Sequence, residues 1–290
     1  MSKFGVGSTS DGAAFCRAVE QYLPEKERLF NDPLVYDLMS GFYQWMLRSP
    51  GMRQYIIDQT EATTKGLYGE QICRTRYIDE AVTAALKKGI RQVVILGAGF
   101  DTRAYRLAGM AQAQVFELDM PRVQKVKRAR VAKLLAGVPE NVHFVPIDFD
   151  EQDMGEVMKG SGFDPAQPAV FVWEAVTQYL TAGAVEQTLR FIGKSAKGSR
   201  VVFTYVPRWI IEHPERDPEA IALMKLSKMK NAPFIFGLEQ AELSDYLKDF
   251  HLRVIEDVDA EYYQKNWLEP MGRKLDVTYG ERICLAEVGA

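Results

Sequence analysis

The sequence lacks the features that mark secreted, metal-clustered or membrane-spanning chains. Among its 290 residues are three cysteines, Cys16, Cys73 and Cys284, at wide spacings. They predict neither a disulfide framework nor a metal cluster, but buried and reduced thiols. No stretch approaches the roughly 20 apolar residues that a membrane span needs. The first five residues also lack the apolar core of a signal peptide. We therefore expect a soluble cytoplasmic protein with no membrane partner.

The sequence also lacks a large charge of either sign. Its 36 Lys and Arg residues nearly balance 39 Asp and Glu residues, for a formal net charge of −3. A chain of this charge has no electrostatic reason to bind nucleic acid. Histidine is scarce as well, with three residues. His143 belongs to a predicted strand and His251 to a late turn, while His213 lies in a segment predicted near a substrate. The sequence thus offers no evident general base.

What the sequence does contain is a strand that runs into a glycine turn. The apolar residues 93–96 are followed by Gly97-Ala98-Gly99, a pattern typical of a buried parallel strand ending in a tight turn. Glycine at such a turn lets the backbone approach a ligand closely. The alternative is a plain strand-to-helix turn followed by a solvated aspartate, Asp101.

Asp119 favours the ligand-binding interpretation of this turn. It lies twenty residues after Gly99 and ends a second apolar run, where nucleoside-binding α/β folds place the carboxylate that accepts hydrogen bonds from ribose. Thr102 stands where the dinucleotide fingerprint has its third glycine, and Asp101 makes the loop acidic, which disfavours a pyrophosphate. The turn therefore suits a nucleoside without phosphate, such as S-adenosylmethionine. The alternative, in which Asp119 caps the next helix, is weakened by Pro121.

Strands and helices alternate through the middle of the chain. This spacing is typical of a mainly parallel sheet with helices on both faces. Two late strands, with no helix expected between them, fit an antiparallel pair at the sheet edge. The predicted fold class is therefore α/β. Strands are predicted at 92–96, 114–118, 142–147, 169–173, 200–205, 252–257 and 281–288, and helices at 74–88, 102–109, 121–136, 151–159, 183–196, 219–230 and 239–249.

We interpret the whole chain, 1–290, as a single domain. Its small, polar first twelve residues predict a mobile lead. Four prolines interrupt 207–237, which favours an insertion over another sheet unit. We expect this insertion to cover the carboxyl edge of the sheet as a helical lid. The predicted parts are an N-terminal helical cap (13–65), a cofactor-binding core (66–206), the lid insertion (207–237) and a C-terminal helix with strands (238–290).

The run of twelve residues from Leu96 to Leu107, LGAGFDTRAYRL, resembles the signature of the leucine carboxyl methyltransferase family. It is similar in particular to the family's bacterial branch of small-molecule O-methyltransferases, which includes polyketide-tailoring enzymes. The resemblance extends over nearly the full chain and implies a class I methyltransferase fold, Rossmann-like, with S-adenosyl-L-methionine as cofactor. Further segments that match in chain order are 29–33 (LFNDP), 74–79 (RTRYID), 116–119 (FELD), 147–149 (IDF) and 173–180 (WEAVTQYL).

The resemblance also implies a set of cofactor-binding residues. Arg74 would bind the carboxylate of the methyl donor and Asp119 its ribose, while Asp148 and Phe149 would bracket adenine. Glu174 ends the fourth predicted strand, at the edge where α/β proteins bind ligands, and would bind the donor ammonium. The residues expected to bind the cofactor are Arg74, Gly97, Ala98, Gly99, Asp119, Asp148, Phe149 and Glu174.

Structural alternatives exist for several of these residues. Arg74 fits a surface ion pair with a carboxylate of its own helix, and Asp148 fits the solvated acidic start of a helix. Glu174 fits a buried pair with an arginine such as Arg103, a role compatible with cofactor binding. Glu117 fits the core better than a ligand site, and Tyr179 fits either an acceptor pocket or simple packing.

These observations predict an S-adenosylmethionine-dependent methyltransferase that acts on an oxygen of a small molecule. A carboxylate acceptor is already ionised, whereas a hydroxyl needs a base, so the lack of an evident base favours a carboxylate. Two alternatives remain at this point. One is a nicotinamide-dependent oxidoreductase, and the other is a non-catalytic regulatory protein that binds S-adenosylmethionine.

Overall fold

The fold is built on one seven-stranded sheet. A computed structural model describes residues 8–289 of the chain, and its strands follow the order β3-β2-β1-β4-β5-β7-β6. Their bounds match the predicted runs to within one residue. The strands are β1 (Gln92–Leu96), β2 (Gln114–Asp119), β3 (Val142–Pro146), β4 (Ala169–Trp173), β5 (Arg200–Tyr205), β6 (Leu252–Val258) and β7 (Arg282–Val288).

The sheet is parallel from β3 to β5 and antiparallel at its other end. β1 pairs in parallel with β2 and β4, and β7 runs antiparallel to both β5 and β6. The predicted α/β class, mainly parallel with antiparallel last strands, is confirmed. Parallel strands bring their carboxyl ends to one edge, and the crevice between β1 and β4 is the point where the strand order reverses. Ligands of open α/β sheets bind at such a point.

Helices cover both faces of the sheet. All five residues of β1 and of β4 are buried, which explains why these strands are continuous apolar runs rather than alternating ones. The helices are α1 (Ser8–Glu20), α2 (Val35–Leu38), α3 (Gly41–Leu47), α4 (Pro50–Thr63), α5 (Leu67–Lys87), α6 (Arg103–Arg106), α7 (Pro121–Leu134), α8 (Met154–Met158), α9 (Ala182–Gly193), α10 (Arg208–Glu212), α11 (Pro218–Met229), α12 (Leu243–Lys248) and α13 (Ala260–Tyr263).

The N-terminal segment differs from the prediction. Residues 1–7 lie outside the described part of the chain, but 8–12 already belong to α1 instead of a mobile lead. The reason is a tertiary contact, since the buried carboxylate of Asp11 accepts a hydrogen bond of 2.9 Å from the backbone N–H of Ser40. Packing of α1 against α5 outweighs the low helix propensity of its serine, threonine and glycine residues.

Two further segments differ from the prediction. The helix predicted at 102–109 is only the four-residue α6, because the chain then turns at Gly109, whose φ is +92°. The late strands β6 and β7 are not directly connected, because α13 and a π-helical turn (Gln264–Leu268) lie between them. Asp259 begins α13 by accepting hydrogen bonds from two backbone N–H groups, a capping signal that the sequence interpretation missed.

No helix in residues 8–289 combines the length and the apolar character needed to cross a lipid bilayer.

Candidate active site

The glycine turn after β1 has the geometry that only glycine adopts without strain. Gly97 and Gly99 have φ values of +66° and +39°. A Cβ atom on Gly97 would lie 2.3 Å from the Val176 side chain, and one on Gly99 would lie 2.8 Å from Ser10 Oγ. The backbone of Ala98 is held in place, because its N–H donates to the Leu118 carbonyl at 2.9 Å. The turn is therefore a tight backbone cradle at the β1–β4 crevice.

Asp119 is tied directly to this turn. One carboxylate oxygen accepts a hydrogen bond of 2.7 Å from the Gly99 N–H, and the other accepts one of 2.7 Å from the N–H of Met120. Burial raises the pKa of Asp119, and the two backbone donors oppose that rise. A carboxylate has about four acceptor positions, so each oxygen keeps a lone pair for a ribose hydroxyl. The spacing noted in the sequence thus corresponds to a contact.

Glu117 lies beneath the turn and belongs to the core. Its side chain is fully buried and pairs with Lys127, also buried, at 2.8 Å. The ammonium of Lys127 donates to the Ala98 carbonyl at 3.2 Å. This buried pair supports the glycine turn from below, as expected for a core residue rather than a ligand-binding one.

Arg74 and Glu174 meet at the carboxyl edge although α5 and the end of β4 are far apart in sequence. Arg74 Nε donates to Glu174 Oε1 at 2.8 Å, and the Arg74 side chain is only 3% exposed while that of Glu174 is 17% exposed. Arg74 is thus not a surface arginine. Its pair with Glu174 was not predicted from the sequence, and its contact with the donor carboxylate stays a prediction. The carboxylate of Glu174 remains the accessible member of the pair.

Arg103 is the second partner of Glu174. Its Nη1 donates to Glu174 Oε2 at 2.6 Å, and its Nε donates to Asp79 at 2.7 Å. Burial alone would raise the pKa of Glu174, but the charges of Arg103 and Arg74 outweigh burial and hold that pKa below its ordinary value. Glu174 is therefore ionised and rigidly placed, a suitable acceptor for a substrate ammonium group.

Two carboxylates in this cluster were missed by sequence reasoning. Glu70 and Glu281 both contact Nη1 of Arg74. Burial raises the pKa of Glu70 well above its ordinary value, and the neighbouring Glu281 raises it further. Glu70 stands one helical turn before Arg74, which is a sequence signal of a pair. Glu281 precedes β7, and nothing in the sequence marks it.

Residues of the segments 29–33 and 101–106 form an ion-pair network with Asp79 behind the site. Arg106 contacts Asp79 at 2.7 Å and Asp32 at 3.5 Å, and Thr102 Oγ1 donates to Asp32 at 2.7 Å. These side chains connect the N-terminal helices to the segment after the glycine turn. Their role in the structure is to hold Arg103, and through it Glu174, in position.

Asp148 and Phe149 follow β3 at the same edge. The N–H of Ile147 donates to the Asp119 carbonyl at 3.0 Å, which places this loop beside the ribose-binding candidate. Asp148 accepts a hydrogen bond of 3.1 Å from the Asp150 N–H. Phe149 is 8% exposed and packs in the core next to the sheet. Both residues are thus near the site, and their contact with adenine stays a prediction.

The insertion (207–237) and α1 both lie over the carboxyl edge. The Ile235 N–H donates to the Gln178 carbonyl at 2.8 Å, and the rings of Phe234 and Tyr179 are 5.6 Å apart. At the other end of the insertion, Glu219 accepts a hydrogen bond from Thr278. Segments that follow β4 and precede β7 are therefore covered by the same insertion.

None of the three histidines contacts the carboxyl-edge residues described above. His143 stacks on Phe116 with the ring centroids 5.0 Å apart and lies 2.8 Å from Gln114. His213 pairs with Glu215 at the surface. His251 occupies a turn after α12 with a φ of +59°. The structure therefore gives no contact between a histidine and these edge residues in the described part of the chain.

The residues at the edge fit S-adenosyl-L-methionine. The glycine cradle permits a close backbone approach, Asp119 retains acceptor positions for a ribose, and the ionised Glu174 suits an ammonium group. Arg74 fits a donor carboxylate less well, because most of its N–H groups already donate to protein groups. Its Nε and Nη1 are engaged by carboxylates and its Nη2 donates to Gln71 at 2.9 Å. A donor carboxylate would therefore meet one remaining N–H, rather than the bidentate fork of an unpaired arginine.

Comparisons with known proteins identify the family of the chain. The leucine carboxyl methyltransferase family matches residues 11–193, more than half of the chain. A protein of Mycobacterium avium (strain 104), named as an S-adenosyl-L-methionine-dependent methyltransferase, is 28% identical over 97% of this chain and 94% of its own. A relative of the same description from Mycolicibacterium smegmatis is 35% identical over 71% of this chain and 69% of its own length.

Two solved structures share the fold. A DUF574 family protein from Streptomyces avermitilis aligns with a TM-score of 0.59 at 17% identity and covers 82% of this chain and 91% of its own. A protein from Thermobifida fusca, named as a methyltransferase, aligns with a TM-score of 0.57 at 19% identity over 82% and 89% of the two chains. These two structures show the fold, and the family match and the relatives show the class of the protein. The chain belongs to the leucine carboxyl methyltransferase family and is an S-adenosyl-L-methionine-dependent methyltransferase.

Proposed function

We propose that the protein transfers the methyl group to an oxygen atom of a small molecule, either a carboxylate or a hydroxyl. The observation that carries this proposal is the Arg74–Glu174 pair at the carboxyl edge, 2.8 Å apart, next to the glycine turn and under the insertion. This arrangement places two opposite charges, which can bind a zwitterionic amino acid, next to the covering insertion.

We assign the donor-binding roles as follows. Glu174 accepts from the ammonium group and Arg74 donates to the carboxylate, so the amino-acid end is held by opposite charges. Asp119 accepts from ribose hydroxyls, and the backbone of Gly97, Ala98 and Gly99 lines the donor. Asp148 and Phe149 lie on the adenine side. When bound, the cofactor supplies a methyl group activated by a positively charged sulfur.

The protein's contribution to the transfer step is positioning and the exclusion of water. The chain is proposed to act as a cap (13–65), a cofactor-binding core (66–206), a lid (207–237) and a closing unit (238–290). Lid and cap together would remove solvent from the acceptor oxygen, which makes that oxygen a better nucleophile. With no histidine at the carboxyl edge, a carboxylate acceptor needs the least from the protein, because it carries no proton to remove.

The test is a screen of carboxylic acids and phenols with donor labelled in the methyl group, read out by mass spectrometry. Products that release methanol in mild alkali are esters, and alkali-stable products are ethers when fragmentation places the label on oxygen. The proposal predicts labelled ester or ether from at least one acceptor class. Label found only on nitrogen, carbon or sulfur would contradict oxygen transfer. Tight binding of S-adenosylhomocysteine without any product would support a non-catalytic binding protein instead.

A further inference from the structure

The ion pairs around Arg74 belong to one cluster that holds more carboxylates than cations. Arg74 pairs with three carboxylates, and one of them, Glu174, links it to Arg103, which pairs with two more. Within residues 8–289 the cations of this cluster are Arg17, Arg74, Arg103 and Arg106, and its carboxylates are Asp32, Glu70, Asp79, Asp101, Glu174 and Glu281. If every group were ionised, two negative charges of the cluster would be uncompensated.

A proton on Glu70 removes one of these charges. Glu70 and Glu281 both contact the same nitrogen, Nη1 of Arg74, and two carboxylates this close favour sharing one proton. Burial raises the pKa of Glu70 well above its ordinary value, and Glu281 raises it further, which together outweigh the opposing charge of Arg74. One negative charge of the cluster is then left without a cation.

The remaining charge lies at Glu281. One oxygen of this carboxylate contacts Arg74, whereas the other, Oε1, is buried and has no N–H donor in residues 8–289. The side chain of Glu281 is only 9% exposed, so water does little to stabilise it. A buried charge without a full set of partners is costly for the folded protein. The arrangement is explained if a cation from outside the chain completes it.

Glu281 lies at the carboxyl edge, where the donor is assigned. It directly precedes β7, which begins beside Tyr205 at the carboxyl end of β5. The residue before it, Gly280, packs closely on the insertion, because a Cβ on Gly280 would lie 2.3 Å from the Leu223 side chain. Glu281 is therefore enclosed between the insertion and Arg74.

The methyl donor carries the cation that this edge needs, and its product does not. Under the proposed function Arg74 binds the donor carboxylate, and the sulfur lies three bonds from the carbon that bears this carboxylate. In S-adenosylmethionine the sulfur is a positive sulfonium, whereas in S-adenosylhomocysteine it is an uncharged thioether. Unit charges attract over several ångströms where water is excluded, so Glu281 acts on the sulfonium without touching it.

We propose that Glu281 makes the enzyme prefer the positively charged donor over its neutral product, so that the product leaves the site more readily. The inference rests on the donor placement in the proposed function, but it concerns the charge of the cofactor and not the atom that is methylated. Glu174 is assigned to the ammonium group, which donor and product share. Glu281 responds to the sulfonium, which only the donor has.

The experiment compares three ligands by calorimetry, without an acceptor and hence without turnover. They are S-adenosylmethionine, S-adenosylhomocysteine and sinefungin, in which a carbon bearing an ammonium group replaces the methylated sulfur. Sinefungin separates the effect of the charge from that of the methyl group. Wild type is compared with Glu281→Gln, Glu70→Gln and Glu80→Gln. Glu80 pairs with Arg76 at the surface and controls for the loss of one negative charge, while Glu70→Gln replaces a carboxyl that is already neutral.

We expect the wild type to bind both positively charged ligands at least about tenfold tighter than S-adenosylhomocysteine. An effect of this size is what a unit charge about 10 Å away produces at an effective dielectric constant near 20. Glu281→Gln should bring the ratio near one by weakening the binding of the charged ligands. Glu70→Gln and Glu80→Gln should retain it.

Equal affinities of the three ligands for the wild type would overturn the inference, and this comparison needs no variant, so it is informative even if Glu281→Gln does not fold. An unchanged ratio in folded Glu281→Gln would also overturn it. So would an equal loss of affinity for all three ligands, since Glu281 would then only support the site. Loss of the ratio in Glu70→Gln would place the charge on Glu70 and reject the assignment to Glu281.

This test and the acceptor screen fail independently. Label found only on nitrogen, carbon or sulfur would contradict the proposed function and leave the preference for the charged donor standing. Oxygen-methylated product together with equal affinities for donor and product would reject the role of Glu281 and leave the proposed function intact.

Discussion

The carboxylate of Glu174 lies 2.8 Å from Nε of Arg74, although one hundred positions separate the two residues in the sequence. One side chain comes from the helix before the sheet and the other from the end of β4. The pair is nearly buried on the arginine side and partly open on the glutamate side. An ion pair with one accessible carboxylate, at the point where the strand order reverses, can be both a structural link and a ligand-binding group.

Arg74 should matter to folding as well as to binding. Arg74→Ala would leave two buried carboxylates, Glu70 and Glu281, without their shared cation and would remove one of the two cations beside the partly exposed Glu174, a type of change that costs about 3–5 kcal/mol. Arg76→Ala is the matched control, because Arg76 pairs with Glu80 at the surface and such pairs contribute about 1 kcal/mol or less. Urea unfolding without ligand measures the free energy of unfolding of both variants. Equal stability of the two variants would show that the Arg74 cluster does not support the fold.

Asp119→Asn should weaken donor binding. The amide keeps the size of the side chain but has only one acceptor oxygen, while Asp119 already accepts two backbone N–H groups. A charged hydrogen bond contributes roughly 1.5–3 kcal/mol, so affinity for S-adenosylhomocysteine should fall about ten- to a hundredfold. Calorimetry measures the affinity, with Asp249→Asn at the exposed end of α12 as a control. Wild-type affinity in a folded Asp119→Asn protein would reject the ribose assignment.

Gly97→Ala should lower the stability of the fold by more than the backbone angle of Gly97 alone explains. The added Cβ would meet both a φ of +66° and the Val176 side chain at 2.3 Å. Gly89→Ala measures the backbone strain alone, because Gly89 has a φ of +93° and no atom lies within 4 Å of its added Cβ. That strain amounts to roughly 1–2 kcal/mol.

Combining Gly97→Ala with Val176→Ala should recover part of the lost stability, since the truncation removes the clash and leaves the backbone strain. Thermal unfolding of the single and double variants measures how much stability is recovered. If Gly97→Ala were no more destabilising than Gly89→Ala, the close packing on the glycine turn would not exist in solution.

Glu70→Gln should change how stability depends on pH. Burial, helped by Glu281, raises the pKa of Glu70, so the folded state binds a proton more tightly than the unfolded state does. The stability that this proton contributes is complete below the unfolded-state pKa and is lost as pH rises through the folded-state pKa. Unfolding free energies measured as the pH rises above the unfolded-state pKa of a glutamate should therefore fall less steeply with pH in Glu70→Gln than in wild type. An equal or steeper fall in the variant would mean that the pKa of Glu70 is not raised in the folded protein.

The sequence predicted the elements that depend on local pattern. Residues 93–96 and 169–173 are short apolar runs, and both lie in fully buried strands. Gly97, Asp119 and Glu174 stand directly at strand ends, and parallel pairing brings strand ends together whatever the details of packing. That is why these residues were identified correctly as neighbours at one edge.

Other parts of the site depend on contacts that no local pattern records. Glu281 reaches Arg74 because β7 runs antiparallel beside β5 and begins at the carboxyl edge. The helix at 8–12 exists because Asp11 binds the Ser40 backbone. Each of these results from long-range packing, which a single sequence does not specify.

The most direct test of the whole account is a crystal structure of the protein with S-adenosylhomocysteine. We predict that the ribose hydroxyls lie within hydrogen-bond distance of Asp119, that the amino group contacts Glu174 and the carboxylate contacts Arg74, and that the insertion covers the sulfur. A ligand bound away from the glycine turn, or bound there with Asp119 and Glu174 still contacting only protein, would contradict the site described here.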